Sequence, residues 1–161
     1  MKNNKERIEI MKNNQIYKIY EALSAIADKR YEIKEDCYLI FSSDHSKAYT
    51  VKNQGNLYSS NDNATLWQHY AGYPILTVLF LQQRLAYQEE FLPYFKDIPW
   101  KSLNSKYKND YEKSLQEAFQ SLEKETIENI NKSCQNILEE LSSLSLTIKG
   151  NRVPLIKEKV K

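Results

Sequence analysis

Residues 46–81 read SKAYTVKNQGNLYSSNDNATLWQHYAGYPILTVLFL, and this stretch decides the fold. Its first part alternates apolar and polar residues on both sides of Gln54-Gly55, as antiparallel strands joined by a tight turn do. From Ala64 onward the apolar residues recur at helical spacing instead. The stretch therefore predicts a hairpin that leads directly into helices.

Polar and helix-breaking residues mark the boundaries of these helices. Residues 61–63 (Asn-Asp-Asn) have side-chain oxygens that suit the free backbone amides of a helix starting near Ala64. Gly72 is predicted to end that helix as its C-terminal cap, and Pro74 to occupy the first turn of the next helix.

The residues before this stretch predict one helix and further strands. Apolar residues at helical intervals predict an amphipathic helix over residues 14–29, with its apolar face on the core. Short runs of β-forming residues separated by polar turns predict strands over residues 31–33, 37–42, 47–52 and 56–59. We therefore predict an α+β fold: an N-terminal helix, a small antiparallel β-meander, and a helical C-terminal half that ends in a long helix.

The helical half begins after the sheet. Residues 75–85 are apolar enough for a buried strand, but Pro74 in front of them and the polar residues behind them favour a buried helix. A further helix over residues 87–97 is expected to be interrupted at Pro93, and Pro99 opens the last helical region.

The last helical region has a continuous apolar stripe. Apolar residues keep helical steps from Trp100 to Leu144, with no Gly or Pro until Gly150. The pattern predicts one helix over residues 110–143, which at ~1.5 Å per residue is roughly 50 Å long. A compact body of about 100 residues is only ~33 Å across, so the helix must bend back onto the domain or project toward a partner.

The stripe carries our main functional hypothesis. A projecting helix buries its stripe against a second copy of the chain or a helical protein partner, whereas a helix that bends back buries it on its own domain. The sequence leaves both arrangements open. We favour a non-catalytic intracellular interaction module, a homodimer or one that binds a helical protein partner, through these residues: Leu115, Phe119, Leu122, Ile130, Ile137 and Leu141.

These expectations divide the chain into a flexible N-terminus, an α+β core domain, the long C-terminal helix and a basic tail: residues 1–13, 14–108, 109–145 and 146–161. The tail holds five basic residues and a single acidic residue, Glu158. Its sequence fits either a small hairpin around Gly150-Asn151 or disorder.

Composition describes an ordinary protein of a reducing compartment. The net charge of +2, with 27% charged residues, gives no whole-chain basic signature for nucleic acid. The two cysteines, Cys37 and Cys134, lie far apart and form no metal-binding pair, so we expect a cytoplasmic location. No apolar run is long enough to span a bilayer, and we expect no membrane partner.

The usual catalytic motifs are missing from the sequence. With three glycines, the chain has no Walker A loop, dinucleotide fingerprint or kinase loop, and it lacks G-x-S-x-G and H-E-x-x-H. We interpret His45 as an exposed turn residue and His69 as a partly buried structural residue. We interpret Asp62 as a helix cap instead of a calcium or magnesium ligand, since the spacing of an EF-hand loop is not met. We predict no catalytic, cofactor-binding or metal-binding residues and no cofactor.

Two alternative functions remain open. Aromatic residues alternate with lysines along the hairpin, which suits the stacking of single-stranded bases. Nucleic-acid binding would use the hairpin face and the basic tail, through these residues: Lys47, Tyr49, Lys52, Arg152 and Lys157. The other alternative is a small enzyme built around Asp62 and His69, which requires a cleft that brings them within hydrogen-bond reach.

The order of predicted strands, polar loop and helix in residues 37–81 resembles that of the SWIM zinc finger. In that family a short hairpin precedes a helix, and zinc is held by a C-x-C pair followed by C-x-H. Residues 59–62 stand where the first pair falls, and Gly72 and Pro74 stand where the second Cys and the His fall. None of the zinc ligands is present, so the resemblance implies a zinc-free derivative stabilised by aromatic and apolar burial. The resemblance also implies a role in binding nucleic acid or protein.

Overall fold

The computed structural model describes residues 4–157, with side chains described from residue 14 onward. The first helix, α1, spans Asn4–Ala27. The helix predicted over residues 14–29 is confirmed, but α1 begins earlier, inside the segment that we expected to be flexible. Its second half is buried at the centre of the domain, because apolar residues cover nearly all of its circumference there.

The described part of the chain forms one six-stranded sheet. Its first four strands pair as antiparallel neighbours in chain order: β1 (Tyr31–Ile33), β2 (Tyr38–Phe41), β3 (Lys47–Gln54) and β4 (Leu57–Ser60). The predicted meander is confirmed. Gly55 connects β3 to β4 with φ 58°, a conformation that glycine adopts without steric strain.

The C-terminal segment adds two strands to this sheet. β5 (Thr147–Gly150) runs parallel to β4, and β6 (Ile156–Lys157) pairs antiparallel with the beginning of β3. Residues 158–161, which hold the predicted tail cations Lys159 and Lys161, lie outside the described residues.

Over the described residues, the tail follows neither arrangement that the sequence left open: it continues in the sheet, and β5 and β6 pair with different strands and not with each other. Asn151 holds the chain on the sheet instead of turning it: its side-chain Nδ2 donates to Thr50 O at 3.2 Å and to Ser59 Oγ at 3.1 Å. These bonds lead the chain across the end of β4 toward β3.

Two helices follow β4: α2 (Asn63–Gln68) and α3 (Tyr73–Leu81). Asp62 caps α2 as predicted, since its carboxylate accepts a hydrogen bond from Thr65 N at 3.2 Å. Pro74 lies in the first turn of α3, also as predicted. The apolar run that was ambiguous in the sequence is thus a buried helix.

The prediction that Gly72 ends α2 is wrong. His69 ends α2 in the left-handed conformation with φ 60°, and Gly72 is the extended residue in front of α3. Glycine is required there for space, because a Cβ at position 72 would lie 2.1 Å from Asp62 Oδ2.

The remaining helices are α4 (Leu92–Phe95), which follows a 3₁₀ turn at Glu89–Phe91, α5 (Trp100–Lys106), α6 (Tyr111–Ala118) and α7 (Lys124–Ser143). The predicted interruption at Pro93 is confirmed, since Pro93 lies in the first turn of the short α4. Pro99 opens α5 as its N-cap, as expected.

A long C-terminal helix is confirmed, but the continuous helix predicted over residues 110–143 is wrong. The chain leaves the helical conformation after α6, where Phe119 inserts into the core with its ring centroid 5.6 Å from that of Phe95 and 6.0 Å from that of Tyr20. The helix α7 has 20 residues, about 30 Å at the usual rise, which fits the width of the domain. The break allows both α6 and α7 to pack on α1.

The apolar stripe of α6 and α7 is buried on the chain itself. The residues predicted as a partner interface all contact this core: Phe119, Ile130, Ile137 and Leu141 are buried, and Leu115 and Leu122 are partly buried. These side chains are therefore buried on their own domain, which is one of the two arrangements that the sequence left open. The α+β fold class is confirmed. Within the described residues, no helix combines the length and the apolarity needed to cross a bilayer.

Candidate functional site

A cavity of about 460 Å³ opens between α1, α2, α5 and the beginning of β3. This volume suits a small organic ligand. Charged, amide and aromatic side chains share its wall: Lys18, Glu21, Arg30, Lys47, Tyr49, Asp62, Trp67, Tyr73, Trp100, Lys101, Asn104 and Tyr111.

A buried carboxylate from α1 lies in this wall. Glu21 is only 6% exposed, its Oε1 accepts a hydrogen bond from Asn104 Nδ2 at 2.9 Å, and its Oε2 lies 3.2 Å from Lys18 Nζ. Lys18 Nζ thus compensates the charge on Glu21 Oε2, whereas Asn104 Oδ1 is a buried acceptor without a hydrogen-bond donor among the described residues. Such acceptors are unfavourable unless a donor reaches them.

Lys18 is held in its charged form beside Glu21. Burial opposes the charge of Lys18, but the neighbouring Glu21 carboxylate outweighs burial and raises the pKa of Lys18 above its usual value. Lys18 Nζ also lies 4.4 Å from the centroid of the Tyr111 ring, within the range of a cation–π contact. The pair is thus a fixed, charged part of the cavity wall.

Asp62 supplies the second buried carboxylate. It is 4% exposed, and its Oδ1 accepts a hydrogen bond from Thr65 Oγ1 at 2.8 Å while Oδ2 accepts the bond from Thr65 N. Burial raises the pKa of Asp62, although the hydrogen bonds from Ser60 and Thr65 act in the opposite direction. These bonds form the N-terminal cap of α2, which begins at the edge of the cavity.

Aromatic rings form much of the remaining wall. The Tyr49 and Tyr73 rings meet edge to face, with centroids 5.9 Å apart, and burial raises the pKa of both hydroxyls. The Trp100 indole is buried and donates to Ser24 Oγ at 2.7 Å. Trp67 differs from these rings, because it projects from α2 with 75% of its surface exposed. It is a free aromatic face beside the cavity.

Two of the other cations that line the cavity already have carboxylate partners. Lys101 Nζ lies 3.1 Å from Asp44 Oδ2, and Arg30 Nε lies 3.4 Å from Asp28 Oδ2. The hydrogen bonds to Asp44, from Ser46, Ser42 and Lys101, lower its pKa although burial acts to raise it.

Lys47 is different, because it forms no ion pair with any described residue. Its direct neighbour across the β3–β6 pair is Lys157, a residue of the same charge. Like charges at directly opposed positions of a sheet repel each other. Lys47 therefore adds a positive charge to a wall that also holds the carboxyl group of Asp62, which likewise forms no ion pair with a described residue.

The structure separates the residues predicted to bind nucleic acid. Lys47 and Tyr49 line the cavity, whereas Lys52 is exposed on the other face of β3, because side chains alternate along a strand. Arg152 is exposed beyond β5, and Lys157 is exposed opposite Lys47. Only Lys47 and Tyr49 are shown to share this cavity.

The two residues proposed for a small enzyme also separate. Asp62 lines the cavity, but His69 is exposed at the end of α2 and is not part of the wall, so its prediction as a partly buried residue is wrong. His45 is exposed in the turn between β2 and β3, as predicted.

Sequence reasoning missed most of the cavity, including Lys18, Glu21, Trp67 and Asn104. One local signal was present: Lys18 and Glu21 are charged residues inside the otherwise apolar stripe of α1, at a spacing that places them on one side of the helix. No local signal connects them to Asn104, which reaches Glu21 from α5.

One protein-family model matches residues 11–147 of the chain, and it is described as "Uncharacterised conserved protein UCP014422". No curated protein and no solved structure is significantly similar. The description of the matched family does not mention a zinc finger, and β3 and β4 belong to a larger sheet instead of a separate hairpin module, so nothing supports the SWIM resemblance. Within the described residues, no group of three or more His, Cys, Asp or Glu side chains is arranged to hold a metal ion.

Proposed function

The chain belongs to that family, and we propose that it binds a small polar organic molecule in the cavity between α1, α2, α5 and β3. The observation that carries the proposal is the set of charged, amide and aromatic side chains that converge on one cavity of about 460 Å³: Lys18, Glu21, Lys47, Tyr49, Asp62, Trp67 and Asn104. Polar groups that converge in a cavity of this size are typical of ligand sites.

The construction of the wall supports the same proposal. The cap bonds to Thr65 hold the Asp62 side chain, and the ion pair holds Lys18 and Glu21 on α1, so these polar groups are in place before a ligand arrives. Perturbed pKa values at Lys18 and Asp62 also favour a functional site over an ordinary surface depression.

Association with a second copy or a helical partner through α7 is weaker as a proposal. The apolar residues of its stripe are engaged in the core, and the outward positions carry charged and amide side chains such as Glu128, Lys132 and Gln135. Single-stranded nucleic acid is also weaker, because Lys52 faces away from Lys47 and Tyr49. The free thiols Cys37 and Cys134 support a cytoplasmic location, which we propose on that ground.

Ligand-observed NMR tests the proposal directly. Saturation transfer is measured from the protein to a panel of small ring compounds that carry amino, hydroxyl or acidic groups. Ser105→Phe places a ring in the cavity wall from α5, and Ser102→Phe places the same ring on α5 outside the cavity. We expect several compounds to bind the wild type and Ser102→Phe, and Ser105→Phe to abolish their binding. Equal binding to all three proteins, or no binding to any, would reject the proposed function.

A further inference from the structure

We propose that the ligand is a neutral sugar, whose ring stacks on Trp67 and whose hydroxyl groups bind amide and hydroxyl side chains on the two sides of the cavity. This inference rests on the proposed function and names the class of molecule that the same cavity takes. Three features of the wall carry it: balanced charges, a set of exposed amide and hydroxyl groups, and one open aromatic face.

The charges of the wall favour an uncharged ligand. Four basic side chains line the cavity, and four carboxyl groups match them, two in the wall itself and two in ion pairs with its basic residues. A charged ligand would compete with these partners, whereas a neutral ligand leaves them in place. The basic residues are Lys18, Arg30, Lys47 and Lys101, and the acidic residues are Glu21, Asp28, Asp44 and Asp62. Lys157, opposite Lys47, is exposed and is not part of the wall.

Neutral polar groups line the cavity from two sides. These side chains are exposed, so a ligand can reach them: Asn63 and Gln68 on α2, Ser105 on α5, and Asn109 in the turn after α5. The amide of Asn104 differs, because its donor is already engaged by Glu21. Amide and hydroxyl side chains both donate and accept hydrogen bonds. Every hydroxyl group on the rim of a sugar ring does the same, so sugar hydroxyls can pair with these side chains as donors or as acceptors.

One aromatic residue of the wall is open for stacking. Trp67 is 75% exposed, whereas the other described aromatic residues that line the cavity are buried or half-buried. A sugar ring has an apolar face of C–H groups, and contact of this face with an indole removes apolar surface of both from water. Trp67 lies on the same short helix as Asn63 and Gln68, so one ring can meet all three side chains.

A flat aromatic ligand uses only part of this wall. It can stack on Trp67, but a small flat ring carries few polar atoms at its edge for the amide and hydroxyl groups on both sides of the cavity. A sugar uses the aromatic face and both polar sides together. The volume of about 460 Å³ accommodates a sugar of one or two rings.

Matched probes separate a neutral sugar from charged and flat molecules. The neutral probes are the methyl glycosides of glucose, galactose, mannose and N-acetylglucosamine, together with the disaccharide cellobiose. The methyl glycosides of glucuronic acid and glucosamine keep the ring and add a negative or a positive charge. Nicotinamide is flat and neutral. The emission of Trp67 and Trp100, the chain's two tryptophans, reports binding because both line the cavity.

Gln68→Ala and Gln135→Ala form the matched pair of variants. Both remove an exposed amide from a helix, but only Gln68 lines the cavity, since Gln135 lies on the outward face of α7. We expect at least one neutral sugar to bind the wild type more tightly than nicotinamide and both charged glycosides do. Gln68→Ala should weaken that sugar about two- to tenfold, and Gln135→Ala should leave its affinity unchanged.

The size of the sugar follows from one further comparison. Tighter binding of cellobiose than of the methyl glycoside of glucose would identify the end of a longer sugar chain as the ligand. The opposite order would identify a single sugar ring.

The inference is overturned if nicotinamide or a charged glycoside binds as tightly as the best neutral sugar, or if Gln68→Ala and Gln135→Ala have equal effects. In either case, binding that Ser105→Phe abolishes would leave the proposed function intact. If none of the neutral sugars binds, the inference is also overturned, and the NMR panel then decides whether the cavity takes another class of ligand. Failure of both experiments rejects the proposed function as well.

Discussion

Two neighbouring helices, α2 and α3, are built in opposite ways. Every residue of α3 from Pro74 to Phe80 is buried, and the helix is held by apolar contact on all sides. The helix α2 buries only Ala64 and Thr65, is capped by the hydrogen bonds between Asp62 and Thr65, and packs against β4 and β5. Few residues separate the two helices in the chain, yet one belongs to the core and the other to the cavity wall.

The difference separates the helices that stabilise the fold from the elements that form the proposed binding site. Apolar burial by α1, α3 and α7 forms a rigid scaffold, and the polar cavity lies where α2, α5 and β3 meet α1. Binding residues are commonly placed on such a scaffold by short segments that contribute little to its core. Substitutions in the two regions should therefore change different measured quantities.

The largest effect is expected in the scaffold. Ile130→Ala removes a fully buried side chain of α7 and should lower the free energy of unfolding by about 2–5 kcal/mol, because it leaves a cavity in the core. Urea unfolding followed by circular dichroism measures this change. Gln135→Ala, at an exposed position of α7, is the control and should change it by less than about 0.5 kcal/mol. A small loss for Ile130→Ala would mean that α7 is not held by its apolar stripe.

A smaller effect is expected at the contact between Gly72 and Asp62, where the two regions meet. Gly72→Ala places a methyl group against Asp62 Oδ2 and should lower the free energy of unfolding by about 1–3 kcal/mol. The same substitution in an Asp62→Ala background should be much less harmful, since the opposing carboxylate is gone. The coupling is measured by urea unfolding of the four proteins in the cycle. An equal loss in both backgrounds would contradict the proposed steric cause.

The pH dependence of stability should reveal the burial of Asp62, one of the two buried carboxylates of the cavity wall. Because burial raises the pKa of Asp62, the folded state binds a proton more tightly at this site than the unfolded state does. Stability relative to Asp62→Asn should therefore fall as the pH rises from about 4, the pKa of an unfolded aspartate, toward and through the folded-state pKa. Urea unfolding of both proteins between pH 4 and pH 7 checks the sign. If the wild type instead became more stable relative to Asp62→Asn as the pH rises, the pKa of Asp62 would be lowered by folding and the prediction would be wrong.

The smallest effect on stability is expected at Trp67. Trp67→Ala should change the free energy of unfolding by less than about 0.5 kcal/mol, because the indole is largely exposed. The same variant should lose affinity for the ring compounds that bind the wild type, whereas Trp67→Phe should keep part of it. Thermal unfolding and saturation-transfer NMR measure the two quantities. A large loss of stability would place Trp67 with the scaffold instead of the cavity.

Elements that depend on neighbouring residues could be predicted from the sequence. The apolar stripe of α1, the turns of the meander, the cap at Asp62 and the position of Pro74 each follow from local patterns, and the structure has all of them. The end of α2 could not be predicted from Gly72. Glycine is needed at this position because a Cβ would clash with the Asp62 carboxylate, and not because a helix ends there.

Features that depend on distant residues could not be predicted. The break after α6 occurs because Phe119 packs on Phe95 and Tyr20, and the parallel β5 depends on a strand that lies almost ninety residues earlier in the chain. The cavity is the extreme case, because Glu21 and Asn104 meet only after α1 and α5 have packed. The sequence signals only the local part of this site, the charged Lys18 and Glu21 inside the apolar stripe of α1, and not their contact with α5.

The central claim is that the cavity beside α2 is the ligand site of this protein. Chemical-shift mapping of the ¹⁵N-labelled chain with the compounds that bind in saturation-transfer NMR tests this claim most directly. We expect the largest changes at the amides of α2 and α5 and at the indole N–H of Trp67. Changes concentrated on the outward face of α7, or around Lys52 on the other face of β3, would contradict it.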